Sequence, residues 1–195
     1  DRECGWVNRL RMWVDQKNMQ WTDFYYSVYN LGISGNTTED LLLRIEKEIP
    51  PRISQGETII IFAIGINDSQ FVIKEKRFYT TPQQFKTNLK KLICVSRKFT
   101  DKIIFVEPNP VDQERVDPMS WADGLSYRNP LIQEYAELIK KVCAEEKVYF
   151  IETFDEWLKV DYKKWLEDGA HPNSEGHRQI FEMFKEFLLK NKILE

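Results

Sequence analysis

The amino-acid sequence predicts an α/β fold, a parallel sheet with helices on both faces, and three observations predict it. Short β-branched apolar runs at 58–64 (TIIIFAI), 102–106 (KIIFV) and 148–151 alternate with longer amphipathic segments. The runs are almost uninterrupted, as expected of strands covered on both sides. Strands separated by helices need crossover connections, which are right-handed and place helices on the two faces.

The elements follow in chain order. Residues 6–15 read as a helix with Trp6, Leu10, Trp13 and Val14 on one face, more suited to core than to an interface. Residues 28–31 read as a short strand. Residues 37–49 read as a helix with Leu41, Leu42, Ile45 and Ile49 inward, with Thr38 or Thr37 as its cap and Glu39 and Asp40 at the positive end of its dipole. The strand at 58–64 is followed by a helix over 82–99, and the strand at 102–106 ends at Glu107-Pro108-Asn109-Pro110. An irregular stretch then runs to Asn129, followed by a helix over 130–146, the strand at 148–151 and a last helix from Ser174 to Lys190. With no repeat, low-complexity tract or linker, 1–195 reads as a single domain.

Composition narrows the function. A formal charge of −3 gives no electrostatic case for nucleic acid or an anionic membrane. No apolar run approaches the roughly 20 residues that span a bilayer. Cys4, Cys94 and Cys143 are too few and scattered for a disulfide framework or a zinc site. Cys94 and Cys143 fall on helical apolar faces and read as small buried hydrophobes, which favours a reducing, cytoplasmic setting. Two histidines without a clustered third ligand give no metal spacing, and no cofactor fingerprint occurs.

In open parallel sheets the chemistry sits in loops at the carboxyl ends of strands, and three such segments stand out. In 30–38 (NLGISGNTT), Gly32 and Gly35 permit a tight turn into a helix N-terminus that offers free N–H groups. After the strand at 58–64 come Gly65-Ile66-Asn67-Asp68-Ser69, where Asn67 can donate an amide N–H to a developing oxyanion and Asp68 can hold the loop. In 168–173 (DGAHPN), Asp168 stands three residues before His171, close enough to accept from one imidazole nitrogen and leave the other as general base. His177 lies inside the last helix and reads as surface or partly buried, without a catalytic role. Each segment also has a plain structural reading, as a turn or a helix cap.

Taken in order, the three segments resemble the GDSL/SGNH hydrolase superfamily across essentially the whole chain. The likeness implies a flavodoxin-like three-layer α/β/α sandwich with sheet order 2-1-3-4-5. It implies a serine esterase, lipase or acylhydrolase acting through an acyl-enzyme on a small-molecule ester. The segment 32–38 looks like the second family block, whose glycine, here Gly35, supplies an oxyanion-hole N–H. Gly65-Ile66-Asn67-Asp68 matches the third, with Asn67 as side-chain donor, and 168–172 matches the last, with Asp168 and His171 as acid and base.

The departure is the first block. No Gly-Asp-Ser occurs, and residues 1–10 resemble the stretch just after that block. The nucleophile and the first, central strand are therefore expected upstream of Asp1, making the domain N-terminally incomplete. Without that strand, buried edges would lack partners at a cost of several kcal/mol. Ser34 and Ser69 read as loop hydroxyls bonded to their own backbone. In 111–129, Met119, Trp121, Leu125 and Tyr127 are expected either to rim the site or to pack as a surface loop. A non-catalytic α/β binding domain, a pseudoenzyme, is the alternative.

Overall fold

A computed structural model of the chain describes residues 5–20, 25–53 and 56–194. The apolar runs form the parallel sheet that their composition demands. Strand β1 (Ile60–Ala63) and helices α1 (Gly5–Asn18) and α2 (Thr38–Glu48) belong to the first half. The short strands β2 (Phe71–Val72) and β3 (Arg77–Phe78), helix α3 (Pro82–Ser96), strand β4 (Ile103–Val106) and one-turn helix α4 (Gln113–Val116) follow. Strand β5 (Leu125–Ser126), helix α5 (Asn129–Glu146), strand β6 (Tyr149–Ile151) and helices α6 (Phe154–Leu158) and α7 (Ser174–Lys190) complete it. The main sheet has the order β1-β4-β6, with Ile60 opposite Ile103 and Ile104 opposite Tyr149.

Strand periodicity distributes the core. Ile103 and Phe105 point to one face, where Ile45, Phe85, Leu89, Tyr135 and Ile139 of α2, α3 and α5 cover them. Ile104 and Val106 point to the other, against Leu10 and Val14 of α1 and Phe181, Phe184 and Leu188 of α7. The result is the expected α/β/α layering. In α1, Trp6 and Trp13 pack against this second cluster. Helix boundaries follow local chemistry: Thr37, rather than Thr38, caps α2 in a reciprocal capping box with Asp40. Thr81 caps α3 ahead of Pro82, and Asn173 caps α7 through the Glu175 and Gly176 amides.

Four expectations need correction. Residues 28–31 form no strand, because a strand requires a ladder partner and none stands between this segment and β1 among the described residues. For the same reason β1 is not covered throughout: Phe62 is buried, but Ile60 and Ile61 are half-buried and Ala63 is exposed. An apolar groove of about 870 Å³ runs along this open edge, lined by Val14, Val28, Ile61, Phe184 and Leu188. The stretch 111–129 is more regular than expected, since it contains α4 and β5, and β5 pairs with the β2–β3 hairpin in a second sheet. Cys94 is exposed, whereas Cys143 is buried and its thiol is pushed up to about 12 by burial. Cys4 lies outside the described residues. No helix among them is long and apolar enough to cross a membrane.

Candidate active site

The carboxyl end of the β6 half carries the first part of the site. After α6 the chain turns through Leu166, which bridges to Pro172, and the Glu167 N–H donates to the His171 carbonyl at 2.8 Å. This closes a loop tight enough to need Gly169. Its φ is +100°, and a Cβ there would lie 2.8 Å from Arg115 Cβ and 3.0 Å from Val116 Cγ1. Inside the loop, Asp168 Oδ1 accepts from the Ala170 and His171 amides at 3.0 and 2.9 Å, and Oδ2 lies 2.7 Å from His171 Nδ1. Burial pushes the Asp168 carboxyl up, but these amides and the imidazole outweigh it and hold the group below its ordinary value. With an ionised Asp168 accepting the Nδ1 proton, the tautomer of the neutral imidazole carries its lone pair at Nε2, as a general base requires. The imidazole is 62% exposed, open to a reactant.

The second part lies beyond β1. Gly35 has φ +81° with open space around it, so the turn needs glycine for its backbone angle alone. Its N–H has no partner among the described residues. Asn67 Nδ2 donates to the Asn36 carbonyl at 3.0 Å, tying the side-chain donor to the turn that carries Gly35. Asp68 is fully buried and reaches across to α2, where the Thr38 amide donates to its carboxylate at 3.0 and 3.2 Å and the hydroxyl at 2.6 Å. It therefore clamps the two loops together rather than its own loop alone. Burial raises its carboxyl, and the Thr38 bonds oppose that rise.

Behind Asn67 stand two residues that sequence reasoning did not assign. The Tyr127 hydroxyl donates to Asn67 Oδ1 at 2.7 Å and accepts from Gln70 Nε2 at 2.9 Å, and Gln70 Nε2 also approaches Oδ1 at 3.3 Å. Met119 and Tyr127 are buried with Val111, Val116, Ile132, Phe154 and Ala170, and Ile66 and Leu125 pack against them. This cluster joins the loops of Asn67 and His171. So Met119 and Tyr127 form the floor rather than a rim, and Trp121, 45% exposed and 5.6 Å from the His171 ring, is the rim residue. The only sequence signal for Tyr127 was an aromatic in a post-strand loop; Gln70 carried none.

The remaining candidates stay outside. Ser69 is buried and its hydroxyl donates to the Ile66 carbonyl at 2.7 Å, as a loop hydroxyl does. Ser34 is exposed on the Gly35 turn. His177 is partly buried with its ring against Gly5, beside the groove rather than beside Asp168. Among the described residues no group of three or more His, Cys, Asp or Glu gathers as a metal site.

A carboxylate-oriented imidazole together with N–H groups able to hold a carbonyl oxygen is the equipment of acyl hydrolases as a class. A family-wide sequence comparison places residues 2–179 in the GDSL-like lipase/acylhydrolase family, and the chain belongs to that family. It is 30% identical over 166 residues to an acetylxylan esterase of Geobacillus stearothermophilus, spanning 80% of this chain and 69% of that protein. A crystal structure of an acetylxylan esterase from Geobacillus stearothermophilus is 25% identical, with TM-score 0.67 over 92% of this chain and 78% of that one. A lipase/acylhydrolase from Enterococcus faecalis shares the fold at 20% identity, with TM-score 0.69 over 90% and 82%. The chain is thus of the GDSL-type esterase class.

Proposed function

We propose that Asp168 and His171 are the acid and base of this esterase, that Gly35 and Asn67 are oxyanion donors, and that the nucleophilic serine lies outside residues 1–195. The observation that carries this is the 2.7 Å contact between Asp168 Oδ2 and His171 Nδ1 at the strand carboxyl ends. The groove supports the last point. Its walls are the open edge of β1 and residues 25–33, and its upper end reaches Gly32, Asn36 and Ile64. A strand seated there parallel to β1 would deliver its last residue beside Gly35 and Asn67, satisfying the β1 edge as it does so. The domain is then a single sandwich over 1–195, completed by that strand.

The chemistry follows from these positions. His171 Nε2 removes the serine proton as the oxygen attacks the ester carbonyl, and the oxyanion accepts from the Gly35 N–H and the second Asn67 Nδ2 proton. As the tetrahedral species collapses, His171 returns the proton to the departing alcohol. Water, deprotonated by the same nitrogen, then releases the acid and restores the serine.

For substrate we propose a short-chain acyl ester of a saccharide. The acetylxylan esterase relative supports this, as does the partly exposed Trp121, whose ring lies 5.6 Å from the imidazole that protonates the leaving alcohol. Flat apolar sugar faces suit such a ring. The exposed Cys94 and unpaired Cys143 thiols are in keeping with a reducing, cytoplasmic setting.

The test is labelling of the complete protein with a fluorophosphonate, located by peptide mass. Labelling of one serine preceding Asp1, lost in His171→Ala, is the expected result. Labelling that persists at normal speed in His171→Ala, or that falls on Ser34 or Ser69, overturns the assignment.

A further inference from the structure

The Asn67 amide can play its part only one way round. Its oxygen and nitrogen ends have nearly the same shape, and a half-turn would present an acceptor to the oxyanion instead of a donor. Four contacts decide the orientation, one of them directly from Gln70, whose Nε2 approaches Asn67 Oδ1 at 3.3 Å, where a turned amide would set nitrogen against nitrogen. The Asn36 carbonyl takes one Nδ2 proton at 3.0 Å, and a turned amide would set oxygen against oxygen there. Gln70 Nε2 donates to the Tyr127 hydroxyl at 2.9 Å, which occupies the phenol's acceptor side and leaves its proton for Asn67. That proton reaches Asn67 Oδ1 at 2.7 Å. The bonds therefore run in one direction, from Gln70 through Tyr127 and Asn67 to the Asn36 carbonyl.

We infer that Tyr127 is a positioning residue for the oxyanion hole, holding the Asn67 amide with its remaining N–H toward the reacting carbonyl. Successive donation along such a chain polarises each member, so an Asn67 whose oxygen accepts from a phenol is also a stronger donor at its nitrogen. The inference rests on the proposed role of Asn67. The phenol is well placed for the task, 4% exposed in the cluster that joins the Asn67 and His171 loops. Burial raises its hydroxyl above the ordinary tyrosine value, the nearby Asp168 carboxylate adding to that rise and the Gln70 bond opposing it, so it keeps its proton.

A double-mutant cycle on the complete protein tests this with an acetyl ester under saturating and sub-saturating conditions. Tyr127→Phe keeps the packed ring and removes one neutral hydrogen bond, so kcat should fall roughly 3- to 10-fold with KM unchanged. Asn67→Ala should lower kcat by roughly 10²–10³. In the Asn67→Ala background, Tyr127→Phe should cost nothing further, because the group that it positions is gone. An equal loss in both backgrounds, or a rise in KM with kcat intact, overturns the role of Tyr127 while leaving that of Asn67 standing. Near-parental turnover in Asn67→Ala overturns the oxyanion assignment itself. If Tyr127→Phe fails to fold, Gln70→Met tests the held amide through both of its bonds, to the Tyr127 hydroxyl and directly to Asn67 Oδ1: an effect lost in the Asn67→Ala background supports the positioning, and an equal effect in both backgrounds refutes it.

Discussion

Replacing Asp168 by asparagine changes a single group and should still remove most of the activity. Asp168 Oδ1 takes the Ala170 and His171 amides at 3.0 and 2.9 Å, and an asparagine oxygen can accept both, which keeps the loop. The amide nitrogen then stands where Oδ2 stood, 2.7 Å from His171 Nδ1. An NH₂ group only donates, so Nδ1 must accept and the ring proton moves to Nε2. That tautomer cannot take the serine proton. The matching change in serine proteases costs about 10⁴ in kcat, near 5 kcal/mol at about 1.36 kcal/mol per decade. Here the Asp168 side chain is 39% exposed, so water screens part of the effect and a loss of roughly 10³–10⁴ is expected. The assay is kcat for p-nitrophenyl acetate in the complete protein, alongside Tm, which should move by less than roughly 4 °C, about 1 kcal/mol at most for a domain of this size. Activity within tenfold of the parent would refute the tautomer reasoning.

Three further outcomes follow from the same geometry. Gly169→Ala forces a Cβ to 2.8 Å from Arg115 Cβ at φ +100°, costing about 2–6 kcal/mol; Tm should drop by at least roughly 4 °C, and an unchanged Tm would mean that the loop relaxes freely. Burial, with the Arg9 guanidinium adding to it, lowers the His177 imidazole below its ordinary value of 6.5. The folded state then binds fewer protons than the unfolded chain, so stability present above about pH 6.5 is lost as pH falls through the folded value. His177→Gln should flatten that loss in urea titrations, and an identical pH profile counts against it; Asp68 and Glu107, both raised by burial, act in the opposite direction and are common to both proteins. Trp121→Ala should raise KM several-fold for an acetylated xylooligosaccharide, about 1 kcal/mol of apolar contact, and leave methyl acetate hydrolysis unchanged. Equal losses on both esters would remove Trp121 from the saccharide site.

Much of the fold is legible in the sequence. The apolar runs at 58–64, 102–106 and 148–151 became β1, β4 and β6, and Ser174–Lys190 ran as read. Their side-chain period is a local property, and so is the three-residue spacing that lets Asp168 meet His171. What the sequence determined by itself was therefore the layer order, the strand-end loops and the contact between Asp168 and His171, all settled by contacts within or between neighbouring elements. Tertiary structure alone decided the rest. Residues 28–31 have strand composition but no ladder partner among the described residues, since a strand forms only where another stands beside it. Gln70 and Tyr127 stand 57 positions apart, and their meeting at Asn67 depends on β5 joining the β2–β3 hairpin, a pairing of two-residue strands too short to carry a periodic signal. Local pattern fixes which face a side chain takes, whereas long-range packing fixes which distant side chain it meets there.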